Sequence, residues 1–286
     1  MTGTLDSPSI AERVRASMAR FTTTERKAAH VLLAAYPVAG LETVAEFARR
    51  ADVSAPTILR FVGRLGFASY PDFQKQLRTE LDAQSKTPLA KTPERSSAMR
   101  DGGAFLNTFA AAVLDNISTT FANLPAAEFE AVVGLLAATR RRVFVVGGRF
   151  TDALAQYLSA HLRIVRPGVV HFDGQADNWR DQLLDVNRKD ILLVFDIRRY
   201  QESLFSLAAK AEARGATVVL VTDQWLSPIA RHAAHVLAAR IAVPSNWDSS
   251  AAMLGLVEAL VAATTDRLWD SASDRIAAVE ELRRDG

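Results

Sequence analysis

Two places in this sequence carry side chains with anion-binding chemistry, and each directly follows a β-rich apolar run. Gly147-Gly148-Arg149-Phe150-Thr151 ends one run, and Asp196-Ile197-Arg198-Arg199-Tyr200-Gln201-Glu202 ends another. Glycines let a backbone come close to a ligand, and the N-terminus of a following helix favours negative charge. Arg149, Arg198 and Arg199 would attract carboxylate or phosphate, which guanidinium groups grip two oxygens at a time. Asp196 and Gln201 could read neighbouring polar groups. The same residues also fit an internal ion pair of Asp196 with one of the arginines, or a subunit interface, because charge clusters at strand ends arise for both reasons.

A second stretch carries nucleic-acid chemistry. Thr43 to Leu65, TVAEFARRADVSAPTILRFVGRL, reads as two short helices joined by a tight turn. Thr43 and Glu46 have the spacing of a capping box, and Val44, Phe47 and Ala48 share one face. Ala51-Asp52-Val53 interrupts that pattern. Ser54 then supplies a fresh N-cap, with Pro56 in the first turn, where a missing N–H costs little. Ile58, Phe61, Val62 and Leu65 recur at helical spacing and should face the core, leaving Thr57, Arg60 and Arg64 on the other side. This is the layout of a helix-turn-helix, whose second helix enters the major groove by its N-terminal residues. On double-stranded operator DNA, Ser54, Pro56 and Thr57 should lie nearest the bases or backbone, Arg60 on a base or phosphate, and Arg64 on a phosphate. Arg49, Arg50, Arg60, Arg64, Lys75 and Arg78 are opposed between positions 49 and 78 only by Asp52 and Asp72. The other reading of that charge is the solvated face of a helical bundle.

Several chemistries are excluded or unsupported. With no cysteine there is no disulfide, thiol nucleophile or thiolate zinc site. His232 and His235 are three apart without an evident third ligand, so no metal is expected. Glu202, Glu258 and His171 show no spacing that marks a catalytic pair, so neither catalysis nor a cofactor is expected. A net charge of +2 confines any nucleic-acid footprint to a local patch. No signal-peptide-like start and no membrane-spanning apolar run occur, which points to a cytoplasmic protein with no membrane partner.

At 286 residues, with 49% hydrophobic and 23% charged, the chain has room for two globular domains. Residues 1–82 should form an all-helical domain: Ser9/Glu12 and Thr22/Glu25 repeat the capping device, and Pro37 stops a helix. Residues 83–103, AQSKTPLAKTPERSSAMRDGG, have linker composition. From 104 to 286 apolar runs alternate with helical stretches. Arg142–Val146, Ile191–Phe195 and Thr217–Val221 are the clear strands, Val169–Phe172 and His235–Ala239 the weaker ones. Continuous apolar strands imply a parallel sheet sandwiched by helices, with ligands beyond the carboxyl ends of its strands. A long apolar helix from about Ser249 to Trp269 fits a subunit interface.

The segments TTTERKAAHVLLAAYP and TVAEFARRADVSAPTILRFVGRLGFASYPDFQKQL, followed by VFVVGGRFTDALAQYL and ILLVFDIRRYQESLFSLAAKAEARGATVVLVTDQWLSPIA, resemble an RpiR-type (MurR/RpiR) transcriptional regulator over nearly the whole chain. SAPTILRFVGRLGFASYPDF carries the most specific part. The resemblance implies an N-terminal helix-turn-helix that binds operator DNA and a C-terminal sugar isomerase (SIS) domain that binds a phosphosugar and forms a homodimer or homotetramer. Family SIS domains commonly hold the phosphosugar with Gly-x-Gly-x-Ser and Ser-x-Ser-Gly-x-Thr loops. Here the first loop keeps only Thr151 as a hydroxyl, and the second has neither serine nor glycine. The expected effector is therefore a small anionic metabolite, bound by Gly147, Gly148, Arg149, Thr151, Asp196, Arg198, Arg199, Tyr200 and Gln201. A sugar-phosphate isomerase-like enzyme, or a domain that only oligomerises, are the alternatives.

Overall fold

The computed structural model describes residues 8–85, 90, 102–174 and 178–284. Six helices open the chain: α1 (Ile10–Ser17), α2 (Thr23–Ala34), α3 (Val38–Leu41), α4 (Val44–Arg50), α5 (Ala55–Arg64) and α6 (Tyr70–Ser85). The capping boxes at Ser9/Glu12, Thr22/Glu25 and Thr43/Glu46 all close, with both reciprocal bonds present. Pro37 ends one helical stretch as expected, but the next residues form the short α3, which the sequence reading did not contain. The α4–α5 turn needs a left-handed residue, and Asp52 takes that conformation at φ 51°. Phe61 of α5 packs against Phe21 at 5.2 Å and Phe47 at 6.4 Å between ring centroids, fixing α5 on the helical core.

The second half comprises α7 (Gly102–Asn123), α8 (Ala126–Ala137), β1 (Val143–Gly147), α9 (Asp152–Val165), β2 (Val169–His171), α10 (Asn178–Gln182), β3 (Ile191–Asp196), α11 (Glu202–Ala213), β4 (Thr217–Asp223), β5 (His235–Ala239), α12 (Ala251–Arg267) and α13 (Trp269–Arg284). The strands form one parallel sheet in the order β2-β1-β3-β4-β5. Every residue of β1 and β3 is buried, as a sheet covered on both faces requires. Their side chains alternate between two apolar layers. Val143, Val145, Leu193 and Phe195 join α8, α9 and α12 on one face, while Phe144, Val146, Leu192 and Val194 join α11 on the other. From β1 the chain goes to one side for β2 and to the other for β3. The loops after β1 and β3 therefore diverge at the switch point where such sheets bind ligands.

The expected linker at 83–103 lies mostly outside the described residues; α6 covers its first three positions and α7 begins at Gly102. The sequence also reads as helical from Gln175 to Leu184; the first three of those positions lie outside the described residues, and α10 covers Asn178–Gln182. The long apolar helix is α12, but Ala252, Met253, Leu256, Val257 and Leu260 are buried inside the protomer's own core. Its apolarity is accounted for by intrachain packing, so it gives no support to a subunit interface there. Among the described residues, no helix is long and apolar enough to cross a membrane.

Candidate functional site

A cavity of about 690 Å³ opens at the switch point, and its walls come from three loops. Gly148, Arg149, Phe150 and Thr151 follow β1; Asp196 ends β3, and Ile197, Arg198, Arg199 and Gln201 follow it; Asn246, Trp247, Asp248 and Ser250 precede α12. Seven of the nine expected effector residues thus meet in one place. Gly147 and Tyr200 stand behind the walls. A Cβ on Gly147 would lie 2.4 Å from the Asp152 nitrogen, so this glycine permits close packing of α9 on the strand end. Of the third loop the sequence suggests only Trp247, in Ser245-Asn246-Trp247-Asp248, as a pocket wall, because nothing in the loop's spacing announces a ligand.

The β1 loop is already hydrogen-bonded within the protein. The Gly148 N–H donates to Phe195 O at 3.0 Å and to Thr151 Oγ1 at 2.9 Å, and that hydroxyl donates to Phe195 O at 2.9 Å. Thr151 is buried, and its proton is committed to the backbone. The Arg149 N–H donates to Gln201 Oε1 at 3.1 Å. At the mouth, the Arg149 guanidinium lies over Phe150, 5.2 Å from the ring centroid, and Phe150 meets Trp247 edge to face at 5.9 Å. Both aromatic side chains are more than half exposed.

The β3 loop is held by two buried carboxylates. Asp196 accepts from Ser227 Oγ at 2.5 Å and from the Gln201 N–H at 3.3 Å. Burial pushes its pKa up to about 7 against the opposing pull of those hydrogen bonds. With one oxygen engaged by each partner, Asp196 is poorly placed as a general base. Asp223 accepts from the Arg198 N–H at 2.7 Å, the Trp225 N–H at 2.8 Å and the Tyr200 hydroxyl at 2.9 Å, and burial raises its pKa too. The Arg198 guanidinium stacks on Trp225 at 4.3 Å, sits 3.2 Å from Asp248 Oδ2 and donates to Ala83 O of α6 at 2.8 Å. Arg199 is left-handed at φ 64°, a backbone strain concentrated at ligand sites. Glu202, Glu258 and His171 lie outside the cavity lining. His232 pairs with Glu212 and His235 with Glu128, so the two rings serve different carboxylates.

On the helical domain, Ser54, Pro56 and Arg60 are exposed at the start and on the outer side of α5, beside Leu59 and Gly63. Ser54 is the N-cap by backbone conformation, but its hydroxyl bonds Thr57 Oγ1 at 2.9 Å instead of capping the helix. Thr57 is buried at 4% exposure, contrary to the outward face expected of it. It lies only about 40° around the helix from Phe61, and that places it at the edge of the apolar stripe. Its hydroxyl also accepts from Arg60 Nη2 at 3.2 Å. Arg64, expected on a phosphate, is tied inward: Nε lies 2.9 Å from Glu25 Oε1, and Nη1 donates to Arg20 O at 3.1 Å. Arg50 pairs with Glu42, whereas Arg49, Arg60, Lys75 and Arg78 make no ion pair among the described residues.

Comparison with known proteins places both halves. Residues 9–84 match the helix-turn-helix domain of the rpiR family, and residues 136–263 match the SIS domain. The transcriptional regulator HexR of Escherichia coli K12 is 24% identical over 280 residues, covering 96% of this chain and 94% of that protein. An HTH-type transcriptional regulator of Haemophilus influenzae is 23% identical over 217 residues, covering 76% and 74%. Among solved structures, the sugar isomerase domain of an RpiR transcription factor from Sphaerobacter thermophilus has a TM-score of 0.55 at 24% identity, covering 62% of this chain and 97% of that one. The Vibrio vulnificus NanR protein complexed with ManNAc-6P has a TM-score of 0.54 at 17% identity, covering 96% and 98%. Carrying an rpiR-family helix-turn-helix domain ahead of a SIS domain, the chain belongs to the RpiR-type transcriptional regulators.

Proposed function

We propose that this protein regulates transcription by binding operator DNA through α5, and that a small anionic metabolite in the switch-point cavity alters that binding. Arg198 carries the reading: it lines the cavity and also donates to the last turn of α6, the helix that closes the DNA-binding domain. An anion that draws its guanidinium away weakens the bond to Ala83 O, and by linkage DNA binding and anion binding then change each other's affinity by one factor. On the DNA side, Ser54, Pro56 and Arg60 face the groove, with Thr57 bracing Arg60 from within the helix. Arg49, Lys75 and Arg78 supply phosphate contacts. The domain acts without catalysis, as a homo-oligomer that presents paired recognition helices to a palindromic site.

Selection of bound genomic fragments by the purified protein, followed by anisotropy titration against scrambled DNA at two salt concentrations, tests the first half. One preferred palindromic site is expected, and Arg60→Ala should weaken binding to it by about 1–3 kcal/mol with relaxed specificity at one position. Equal, salt-suppressed binding to all DNAs would refute a specific regulator. For the second half, anionic metabolites from the pathway beside that site should shift operator affinity in the wild type and lose that effect in Arg198→Met.

A further inference from the structure

We infer that the cavity takes a carboxylate bearing an apolar or ring face, and that Gln201 shuts out phosphate esters by closing the backbone cradle after β1; this rests on the sensing role proposed above. A phosphate cradle needs N–H groups that point into open space. Here the Arg149 N–H donates to Gln201 Oε1, and the Gly148 N–H is shared between Phe195 O and Thr151 Oγ1. Gln201 Oε1 also fills the room above Gly148, since a Cβ there would stand 2.6 Å from it. The side chain of one loop therefore plugs the glycine loop of the other. Behind the plug, the first residue of α9 is Asp152, whose carboxylate adds negative charge at the helix N-terminus and bonds His171 at 2.8 Å.

The cavity's remaining anion donors are guanidinium groups. Arg198 is already balanced by Asp248, and Asp196 adds a second acid to the lining. Arg149 and Arg199 make no side-chain hydrogen bond or ion pair among the described residues, so their charge is available to a ligand. With Arg198 matched by Asp248, the two remaining guanidinium groups beside the Asp196 carboxyl suit a single negative charge with two oxygens better than a phosphate ester with three oxygens and up to two charges. Phe150 and Trp247, standing edge to face and more than half exposed at the mouth, offer an apolar face beside those cations. Gln201 is thus a specificity-determining residue.

Matched probes test this by calorimetry and thermal shift on the full chain: phenylacetate against phenyl phosphate, and glucuronate against glucose 6-phosphate. In the wild type the carboxylate of at least one pair should bind about tenfold or more tighter than its phosphate partner. Gln201→Ala should narrow that gap at least about tenfold, mainly by improving the phosphate, whereas Gln201→Glu, which keeps an acceptor over the loop, should leave phosphate excluded. Preference of the wild type for the phosphate partners would overturn this inference while leaving the sensor intact. An unchanged ratio in a folded Gln201→Ala would remove Gln201's role. Binding of none of the four probes by the wild type or by Gln201→Ala at about 10 mM would sink the sensing reading itself, and this inference with it.

Discussion

The helical domain meets the α/β domain at two junctions of different chemistry. In one, Leu226 leaves the β4 loop and is buried in the helical core, Ser9 Oγ donates to Gln224 O at 3.1 Å, and Arg240 clasps Glu12 through bonds of 2.9 and 3.0 Å. Both charged groups are less than 10% exposed. In the other, the β3 loop holds the end of α6 through Arg198 and Ala83 O. Arg240 is 5% exposed and does not line the cavity. Arg198 faces a cavity in which an anion can arrive. The contrast separates a contact that holds the halves together from one that can change partners, and the loops after β1 and β3 sit only at the second.

Breaking the first junction should have the largest effect. In Arg240→Met the Glu12 carboxylate stays buried with the Ser9 N–H as its donor and only the more distant charge of Arg15 nearby, which costs about 3–5 kcal/mol. Urea denaturation would show this loss, and Glu12→Gln combined with Arg240→Met should recover part of it because the orphaned charge is gone. A single-mutant cost below about 1 kcal/mol would mean that the two junctions are equally soft.

The second junction should instead respond to pH. The Asp196 carboxyl is raised in the folded protein to about 7, from an ordinary 3.8. Between those values the native state holds a proton that the unfolded chain has released. Its contribution to stability is therefore greatest below about pH 4 and declines as pH rises towards 7, at up to about 1.4 kcal/mol per pH unit. Thermal melts from pH 5 to 8 should show the wild type losing stability relative to Asp196→Asn, with the difference levelling off above 7. A constant difference would place Asp196 outside this titration. An anion beside Asp196 favours its neutral form, so ligand affinity should also rise as pH falls through 7.

These two junctions also mark what the sequence could and could not tell. The helix starts at Ser9, Thr22 and Thr43 were legible because a capping box is a local device, four residues long, and β1 and β3 because an apolar run buried on both faces looks the same in any context. Glu12 and Arg240 stand 228 positions apart and share no pattern that could pair them. Gln201 was named as a reader of polar groups, but its place over Gly148 depends on how two loops converge. The inward turn of Thr57 and Arg64 was missed because polar residues at the edge of an apolar stripe were assigned to the outside. The apolarity of α12 could not reveal whether its own core or a second subunit would cover it.

Tyr200→Phe sharpens the comparison at moderate size. The hydroxyl bonds Asp223 at 2.9 Å, yet Asp223 keeps the N–H groups of Arg198 and Trp225, so the loss should be about 1 kcal/mol. If the β3 loop carries the ligand's signal to α6, this variant should retain ligand binding and lose part of the ligand's effect on operator affinity. Full retention of both would confine the signal to Arg198.

Arg64 gives the smallest effect and the finest test of exposure as the deciding variable. It is tied to Glu25 and Arg20 as firmly in distance as Arg240 is to Glu12, but its side chain is 50% exposed. Glu25 is buried, but water reaches the arginine end and can replace it, so the pair contributes only about 1 kcal/mol. Glu25 also keeps the Thr22 capping bonds when the arginine is removed. Arg64→Gln should therefore change the urea midpoint only slightly. Because the guanidinium is held towards α2, operator affinity should fall less than in Arg60→Ala, with the salt slope nearly unchanged. A drop in that slope by about one unit would show that Arg64 releases Glu25 and reaches a phosphate on DNA, exchanging an internal partner for an external anion as is proposed for Arg198.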